Sequence, residues 1–328
     1  MRTALRPGRR ARWPVAAGLA AGVAADLLLA DPRHGHPVAG FGAVAAAAER
    51  VVHRDSRLAG TAYALVLTGG AAALGAGLSR AFPAAVPRAG VTALATWAVV
   101  GGTSLRREAH EMSRLLEAGD LDGARQRLGH LCGRDASTLD TAGLARATVE
   151  SVAENTSDAV VAPLVWGAVG GVPGLLAYRA VNTLDAMVGH RSPRHERFGW
   201  ASARADDVAN LLPSRVSACL AAGLAPVVGG RARSAVRVWQ RDGHKHPSPN
   251  AGPVEAAFAG ALSRTLGGRL SYAGRTEDRP LLGDGPAPGV HDVARAARLS
   301  GAVTAGAAAL TVGVRLLLDR ARGRRTAW

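Results

Sequence analysis

Residues 58–79 run without a charged side chain for about the 20 residues that a helix needs to cross a bilayer, and this run constrains the fold more than any other. A shorter apolar run, 89–103, returns after a turn around Pro83 and Pro87, so the two are expected to form a spanning helical hairpin. Residues 299–318 are long enough to cross again, interrupted only by Arg315. Two further apolar runs are compromised. Residues 159–178 are broken by Pro163, Pro173 and several glycines, and residues 216–229 are too short to span alone. The apolar residues, 48% of the chain, are mostly Ala, Val, Leu and Gly, and only 4% are aromatic. A water-soluble core of this size would need more bulk, whereas small residues suit helices packed closely in lipid. The fold class expected is therefore all-α: a polytopic membrane protein with transmembrane or re-entrant helices and polar helical loops.

Arg2, Arg6, Arg9, Arg10 and Arg12 precede an apolar run at 13–30, as in a signal peptide or signal anchor. That run is rich in Ala and Gly and holds Asp26, and is read as a retained membrane helix. The chain divides into a basic N-terminal tail (1–12), a single membrane-embedded catalytic domain (13–318) and a basic C-terminal tail (319–328). Three polar blocks, 104–158, 179–215 and 230–298, separate the apolar runs. Leu105, Ala109, Met112 and Leu116 recur at helical spacing, as do Leu121, Ala124, Leu128 and Leu131 with Asp120 placed to cap. No strand-like alternation is sustained, and 275–292, rich in Pro, Gly and Asp, reads as loop. If every apolar run spanned, the polar blocks would fall on opposite sides of the membrane. One site built from all of them requires the broken runs to be re-entrant or buried.

The net charge of +15 comes almost wholly from 39 arginines; Lys245 is the one lysine. The basic residues sit between apolar runs with no zinc-finger, RRM or KH signature, so lipid and anionic substrates are favoured over nucleic acid. Cys132 and Cys219 are far apart and lack metal-ligand spacing, which fits a reduced compartment. No P-loop, G-x-S-x-G, H-E-x-x-H or dinucleotide-binding motif occurs, so local motifs assign no reaction class.

Four stretches carry chemistry. Arg146, Glu150, Glu154 and Asp158 follow one another at intervals of four, a stripe along a helix beside an apolar segment. Like charges so placed repel, and a cation offsets them: Arg146 for one, and for the rest Mg²⁺, which takes one or two carboxylates plus substrate phosphates. A solvated face with an ion pair is the plainer reading. Asn155-Thr156-Ser157-Asp158 and Asn182-Thr183-Leu184-Asp185 flank the broken run and share the pattern N-T-x-D, so they can face one another across a pocket; helix capping is the alternative. His190-Arg191 leads to Asp206, Asp207 and Asn210 within one helical turn, surrounded by Arg191, Arg194, Arg197 and Arg204. Lastly, residues 244–257 hold Lys245, His246, Asn250 and Glu255 in a loop stiffened by Pro247 and Pro249, where Lys245 is expected to meet a phosphate as a compact charge.

These stretches together resemble the CobD/CbiB family of adenosylcobinamide-phosphate synthases. The matching segments are DPRHGHPVAGFG (31–42), residues 103–135, residues 146–191, FGWASARADDVANLLPSR (198–215) and HPSPNAG (246–252). They are long and collinear, and run from about Asp26 to Gly274. The chain departs from the family in two places: N-A-G-P-V-E-A replaces N-A-G-W-P-E-A, with Glu255 in register, and the DPR…HPV segment is one residue short. The resemblance implies ATP- and Mg²⁺-dependent joining of adenosylcobyric acid to an aminopropanol O-phosphate through an amide, in the inner membrane, with possible contacts to other corrinoid-pathway membrane enzymes. On that basis Glu150, Glu154, Lys245 and Glu255 are expected to be catalytic. Arg146, Asn155, Asn182, His190, Arg191, Asn210, His246 and Asn250 are expected to bind substrate or phosphate, and Asp158, Asp185, Asp206 and Asp207 to bind metal. The rival readings are a Mg²⁺-dependent membrane transferase of the UbiA type, which would show a repeated D-x-x-x-D, and a non-catalytic membrane sensor or scaffold, which would not need N-T-x-D twice.

Overall fold

The structure is a computed structural model that describes residues 13–32, 35–190, 192–272 and 275–325. The helices are α1 (Pro14–Leu29), α2 (Pro37–Val52), α3 (Arg57–Ala81), α4 (Ala85–Val99), α5 (Gly102–Glu117), α6 (Leu121–Leu128), α7 (Thr141–Thr156), α8 (Ala162–Leu184), α9 (Trp200–Ala209), α10 (Leu211–Gly223), α11 (Ala232–Asp242) and α12 (Ala251–Leu262). A hairpin of β1 (Leu266–Tyr272) and β2 (Arg275–Leu282) follows, then α13 (Val290–Arg325). The basic tail expected from 319 onward therefore continues α13 as far as Arg325; residues 1–12 lie outside the described residues.

Among the described residues three helical stretches are long and apolar enough to cross a membrane: Arg57–Ala81, Thr141–Gly189 and Val290–Ala321. Only 22% of the most apolar part of α3 is buried, and Leu58, Leu65, Val66 and Leu74 are exposed. A long helix with exposed apolar flanks suits hydrocarbon, not water. The expected hairpin between 58–79 and 89–103 is not formed as such. Instead α4 lies parallel to α1: a methyl at Gly18 would sit 2.7 Å from the Ala89 carbonyl and one at Gly22 2.6 Å from the Ala93 carbonyl. Gly18-x-x-x-Gly22 is the small-residue spacing that lets two membrane helices approach closely. Asp26, buried on α1, accepts hydrogen bonds from the Thr103 N–H (3.1 Å) and hydroxyl (3.0 Å) at the start of α5.

The 49-residue stretch Thr141–Gly189 does not cross as a straight rod. Gly171, at φ 64° and ψ −145°, adopts a conformation open in practice only to glycine and turns the chain back on itself. A methyl at Gly174 would clash with the Trp166 carbonyl, and one at Gly167 with Leu175. The Tyr178 hydroxyl donates to the Asp158 carbonyl at 3.1 Å, two groups that a straight helix would hold about 30 Å apart. The run is thus a re-entrant hairpin, and its first arm, Ala162–Gly170, reaches roughly 13 Å. Its tip lies beside Gly75 near the far end of α3 and beside Arg315 of α13, which donates to the Ala168 carbonyl at 3.2 Å. Both arms return to the same side, so all three polar blocks share one face.

On that face α5 buries Leu105, Ala109, Met112 and Leu116, and Asp120 caps α6 through the Gly123 N–H (2.9 Å), both as the spacing predicts. The segment expected to be loop contributes a strand instead. β1 and β2 pair antiparallel from Leu266↔Leu282 to Tyr272↔Arg275, with a register shift between Leu266 and Gly268. Gly267 and Gly268 of β1 have φ of 86° and 89°, conformations that suit glycine and accompany the bulge.

Candidate active site

The two N-T-x-D motifs sit at the mouth of the re-entrant hairpin. Each passes into a single turn of π-helix, which begins at Ser157 in the first (Ser157–Val161) and at Asp185 in the second (Asp185–Gly189). Such turns shift the helix register and recur at functional sites. The motifs are not helix caps: the Thr156 hydroxyl donates to the Val152 carbonyl and to Ser300 Oγ, and Thr183 to the Arg179 carbonyl. The turns bring Asp158 and Asp185 together, with Glu154 and Asp206 as the other acidic neighbours of Asp158. Glu154 keeps solvent-accessible surface although protein surrounds it, the position of a side chain lining a deep cleft.

Asparagines hold the cleft wall. Asn210 is 1% exposed; its amide donates to Asp206 Oδ2 (2.9 Å) and its carbonyl accepts from Tyr178 (2.9 Å). Asn182 donates to Asp206 Oδ1 at 3.4 Å and accepts from Arg179. Burial raises the affinity of Asp206 for a proton and neighbouring Asp207 adds to it, against the pull of the two asparagines. Asp207 itself pairs with Arg204 at 3.0 Å.

The opposite wall carries cations. Glu150 accepts from Arg134 (2.7 Å) and from the Gly267 N–H of β1 (2.7 Å), so both its oxygens are engaged. Arg134 and Arg279 of β2 are the cations acting on both Glu154 and Glu255. Glu255 lies 4% exposed on α12, and its carboxyl is held well above the ordinary range by burial and then by Glu150 and Glu154. His246 Nε2 meets Arg279 Nη1 at 2.8 Å and stands 3.9 Å from Glu255. Asn250 donates to the Asp207 carbonyl (2.7 Å) and accepts from Arg215 (2.9 Å), tying the proline loop to α9 and α10. In the altered N-A-G-P-V-E-A segment Pro253 falls in the first turn of α12, where its missing N–H is harmless, and Glu255 still reaches the cluster.

Of the residues predicted from sequence, the cluster gathers Glu150, Glu154, Asp158, Asn182, Asp185, Asp206, Asp207, Asn210, His246, Asn250 and Glu255. Asn155 turns back to Ser151, its amide 2.9 Å from that carbonyl. Arg146 lies against β1, where a methyl at Gly268 would come within 3.1 Å of its Nη1. Arg146 is expected to offset one carboxylate of the stripe; the ion pair to Glu150 is made by Arg134. His190 meets His195 at 3.3 Å, beside Glu49, away from the cleft; Arg191 lies outside the described residues. Lys245 is also apart: its ammonium is 2.7 Å from Asp242, so a phosphate contact finds no support in its placement. Tyr178, Arg134, Arg179 and Arg279 belong to the site and carry no local sequence signal.

Among the described residues no three His, Cys, Asp or Glu side chains are gathered closely enough to hold a metal ion by themselves. The donors are carboxylate and amide oxygens without thiolate, a set that suits Mg²⁺ arriving with phosphate oxygens and not a closed structural zinc site.

The family described as CobD/Cbib protein matches residues 19–300 of this chain. A Mycobacterium tuberculosis protein named "Cobalamin biosynthesis protein CobD" is 53% identical over 297 residues, 90% of this chain and 95% of its own. Proteins of the same name from Rhodobacter capsulatus and Geobacter metallireducens are each 43% identical, over 289 residues (85% of this chain, 91% of theirs) and 265 residues (79% and 83%) respectively. No solved structure matches the chain.

Proposed function

Because the chain belongs to the CobD/CbiB family of cobalamin biosynthesis, we propose that it is an adenosylcobinamide-phosphate synthase. It joins a carboxyl of adenosylcobyric acid to the amine of (R)-1-amino-2-propanol O-phosphate, or a related amino alcohol, using ATP. The observation that carries this reading is the cluster of Glu154, Asp158, Asp185 and Asp206, with Arg134 and Arg279 acting on Glu154 at its edge. Amide formation from a carboxylate needs its oxygen converted to a leaving group. The γ-phosphoryl of ATP passes to that oxygen and ADP departs; the amine then attacks the acyl carbon, phosphate leaves, and the ammonium proton goes to a base.

The chain supplies groups for each demand. Asp158, Asp185 and Asp206 would hold Mg²⁺, which when bound neutralises phosphate charge. Arg134 and Arg279 stabilise the charge that develops on the transferred and leaving phosphates. Glu154, which reaches the cleft, takes the ammonium proton, with Glu255 behind it. Glu150 positions Arg134 and β1. The partners are the corrinoid, the amino-alcohol phosphate and lipid, with no role for nucleic acid. The setting is the inner membrane with the polar face in the cytoplasm, where ATP is found. The test is mass spectrometry of the detergent-purified protein with adenosylcobyric acid, aminopropanol phosphate, ATP and Mg²⁺. The amide product should form only when all four are present; its formation without ATP, or its absence with all four, overturns the reading.

A further inference from the structure

Beside the carboxylate cluster, between α10, α11 and the proline loop, lies a second cavity of about 510 Å³. Its walls differ in kind from the cluster. Trp239, Pro247, Pro249 and Pro253 give flat apolar surfaces, and Arg215, His244 and His246 line its polar side. The floor is fixed by close backbone packing. A methyl at Gly243 would lie 2.7 Å from the Trp239 carbonyl and 3.2 Å from Pro253 Cα, so the end of α11 packs closely on the start of α12. Arg215 is tethered through Nη1 alone, to Asn250 (2.9 Å), Ser214 (2.9 Å) and the Leu211 carbonyl (3.2 Å). Among the described residues no hydrogen-bond partner engages its Nε or Nη2, and none engages the Trp239 indole N–H.

The cavity also has a direction. His246 forms part of its wall and meets Arg279, which acts on Glu154, while Asn250, which holds Arg215, is bonded to the Asp207 backbone. The polar side therefore adjoins the carboxylate cluster.

A planar ring between an indole and prolines, with an anionic chain running past an arginine and a histidine towards a carboxylate cluster, is the shape of a nucleoside triphosphate. Aminopropanol phosphate has three carbons and no ring for the indole to stack on. A corrin macrocycle is too large for this volume. We propose that this cavity is the nucleotide subsite, with the adenine of ATP stacked on Trp239 and its phosphates directed past Arg215 and His246 to the cleft. The assignment rests on the ligase reading given above.

Steady-state kinetics and displacement of trinitrophenyl-ATP by the non-hydrolysable analogue AMP-PNP test it on the full-length protein. Loss of base stacking should raise the KM for ATP about tenfold or more in Trp239→Leu, with the KM values for the corrinoid and aminopropanol phosphate unmoved, and Trp239→Phe should recover most of the loss. AMP-PNP affinity should fall in parallel. An unchanged KM for ATP in Trp239→Leu overturns the subsite while leaving the ligase intact. So does a rise in the KM for aminopropanol phosphate instead. If the wild-type protein makes no amide, the ligase reading fails, and the binding data decide separately: weakened AMP-PNP binding in Trp239→Leu supports a nucleotide pocket, and equal or absent binding rejects it.

Discussion

Two kinds of buried carboxylate coexist in this protein, and their surroundings are opposite. Asp242, 1% exposed, accepts from Arg241, Lys245 and the Gly283 N–H. Asp292, 2% exposed, accepts from Arg264, Arg295 and the Gly289 N–H. At these two nodes every acid is saturated with donors. In the cleft, Asp158 and Asp185 have chiefly other carboxylates as charged neighbours, and Asp206 is held by two neutral asparagines, with no cation among the described residues paired to any of the three. The donors hold Asp242 well below the ordinary carboxylate range, Arg241 foremost, whereas burial pushes Asp206 above it. Both nodes tie the α11–α13 region together. A chain with 39 arginines could have neutralised the cleft too. Leaving it acidic costs stability, and that is expected where a cation and a reacting substrate complete the charge balance.

The largest expected effect breaks the comparison at the cleft. Glu154→Gln, Asp158→Asn and Asp185→Asn should each lower kcat by about 100-fold or more, the scale of losing one electrostatic contributor to a transition state. Their melting temperatures in detergent should stay level or rise, because each removes a like charge. Full Mg²⁺-dependent turnover in all three would make these side chains structural.

Next is pH. Asp206 and Glu255 bind protons more tightly folded than unfolded, so the fold gains stability as pH falls through their raised values and loses it as pH rises through them. Asp242 is the reverse: its contribution is present above the ordinary aspartate value of about 3.9 and is lost only in stronger acid. As pH falls from neutral through these raised values, melting temperature should therefore hold or rise while turnover and apparent Mg²⁺ affinity fall, as the raised carboxylates take up protons. A melting temperature that falls together with activity over that range would contradict the contrast.

Asp292→Asn should do the opposite of the cleft variants. Its arginines are 29% and 14% exposed, and losing the charge they share should cost about 1–3 kcal/mol of stability. The kcat of the folded fraction should not change. Thermal unfolding alongside active-site titration separates the two effects. The smallest effect is expected at Lys245, where an arginine can keep the surface pair with Asp242; Lys245→Arg should alter turnover by less than about twofold. A large, substrate-specific rise in KM would return this residue to the phosphate.

Much of this was legible in the sequence, for reasons of period. The fold class, the amphipathic α5 and α6, the Asp120 cap and the pairing of the two N-T-x-D motifs all follow from spacing along one helix or from breaks by Gly and Pro. What was missed depends on which helices meet. That α4 packs on α1 and not on α3 is decided by Gly18 and Gly22, small residues that look alike throughout this chain. Arg279 enters the cleft from a strand inside a segment whose Pro, Gly and Asp read as loop, and Arg134 pairs with Glu150 across an interval no helical repeat reveals. Lys245 stands out in the sequence only because it is unique, and uniqueness says nothing about where a side chain points; here it pairs with Asp242.

The Gly171 reversal places all three polar blocks on one face, so that a single cleft can form. Cysteine accessibility tests it. With Cys132 and Cys219 replaced by serine, single cysteines at Ser137, Glu196 and Arg237, one exposed position in each block, and at Ala84 in the α3–α4 turn, are challenged with a membrane-impermeant maleimide in oriented vesicles. The fold predicts that the three block positions label from the same side and Ala84 from the opposite side. Labelling of Glu196 from the side of Ala84 would mean that residues 159–178 cross the membrane, and the single cleft would not exist.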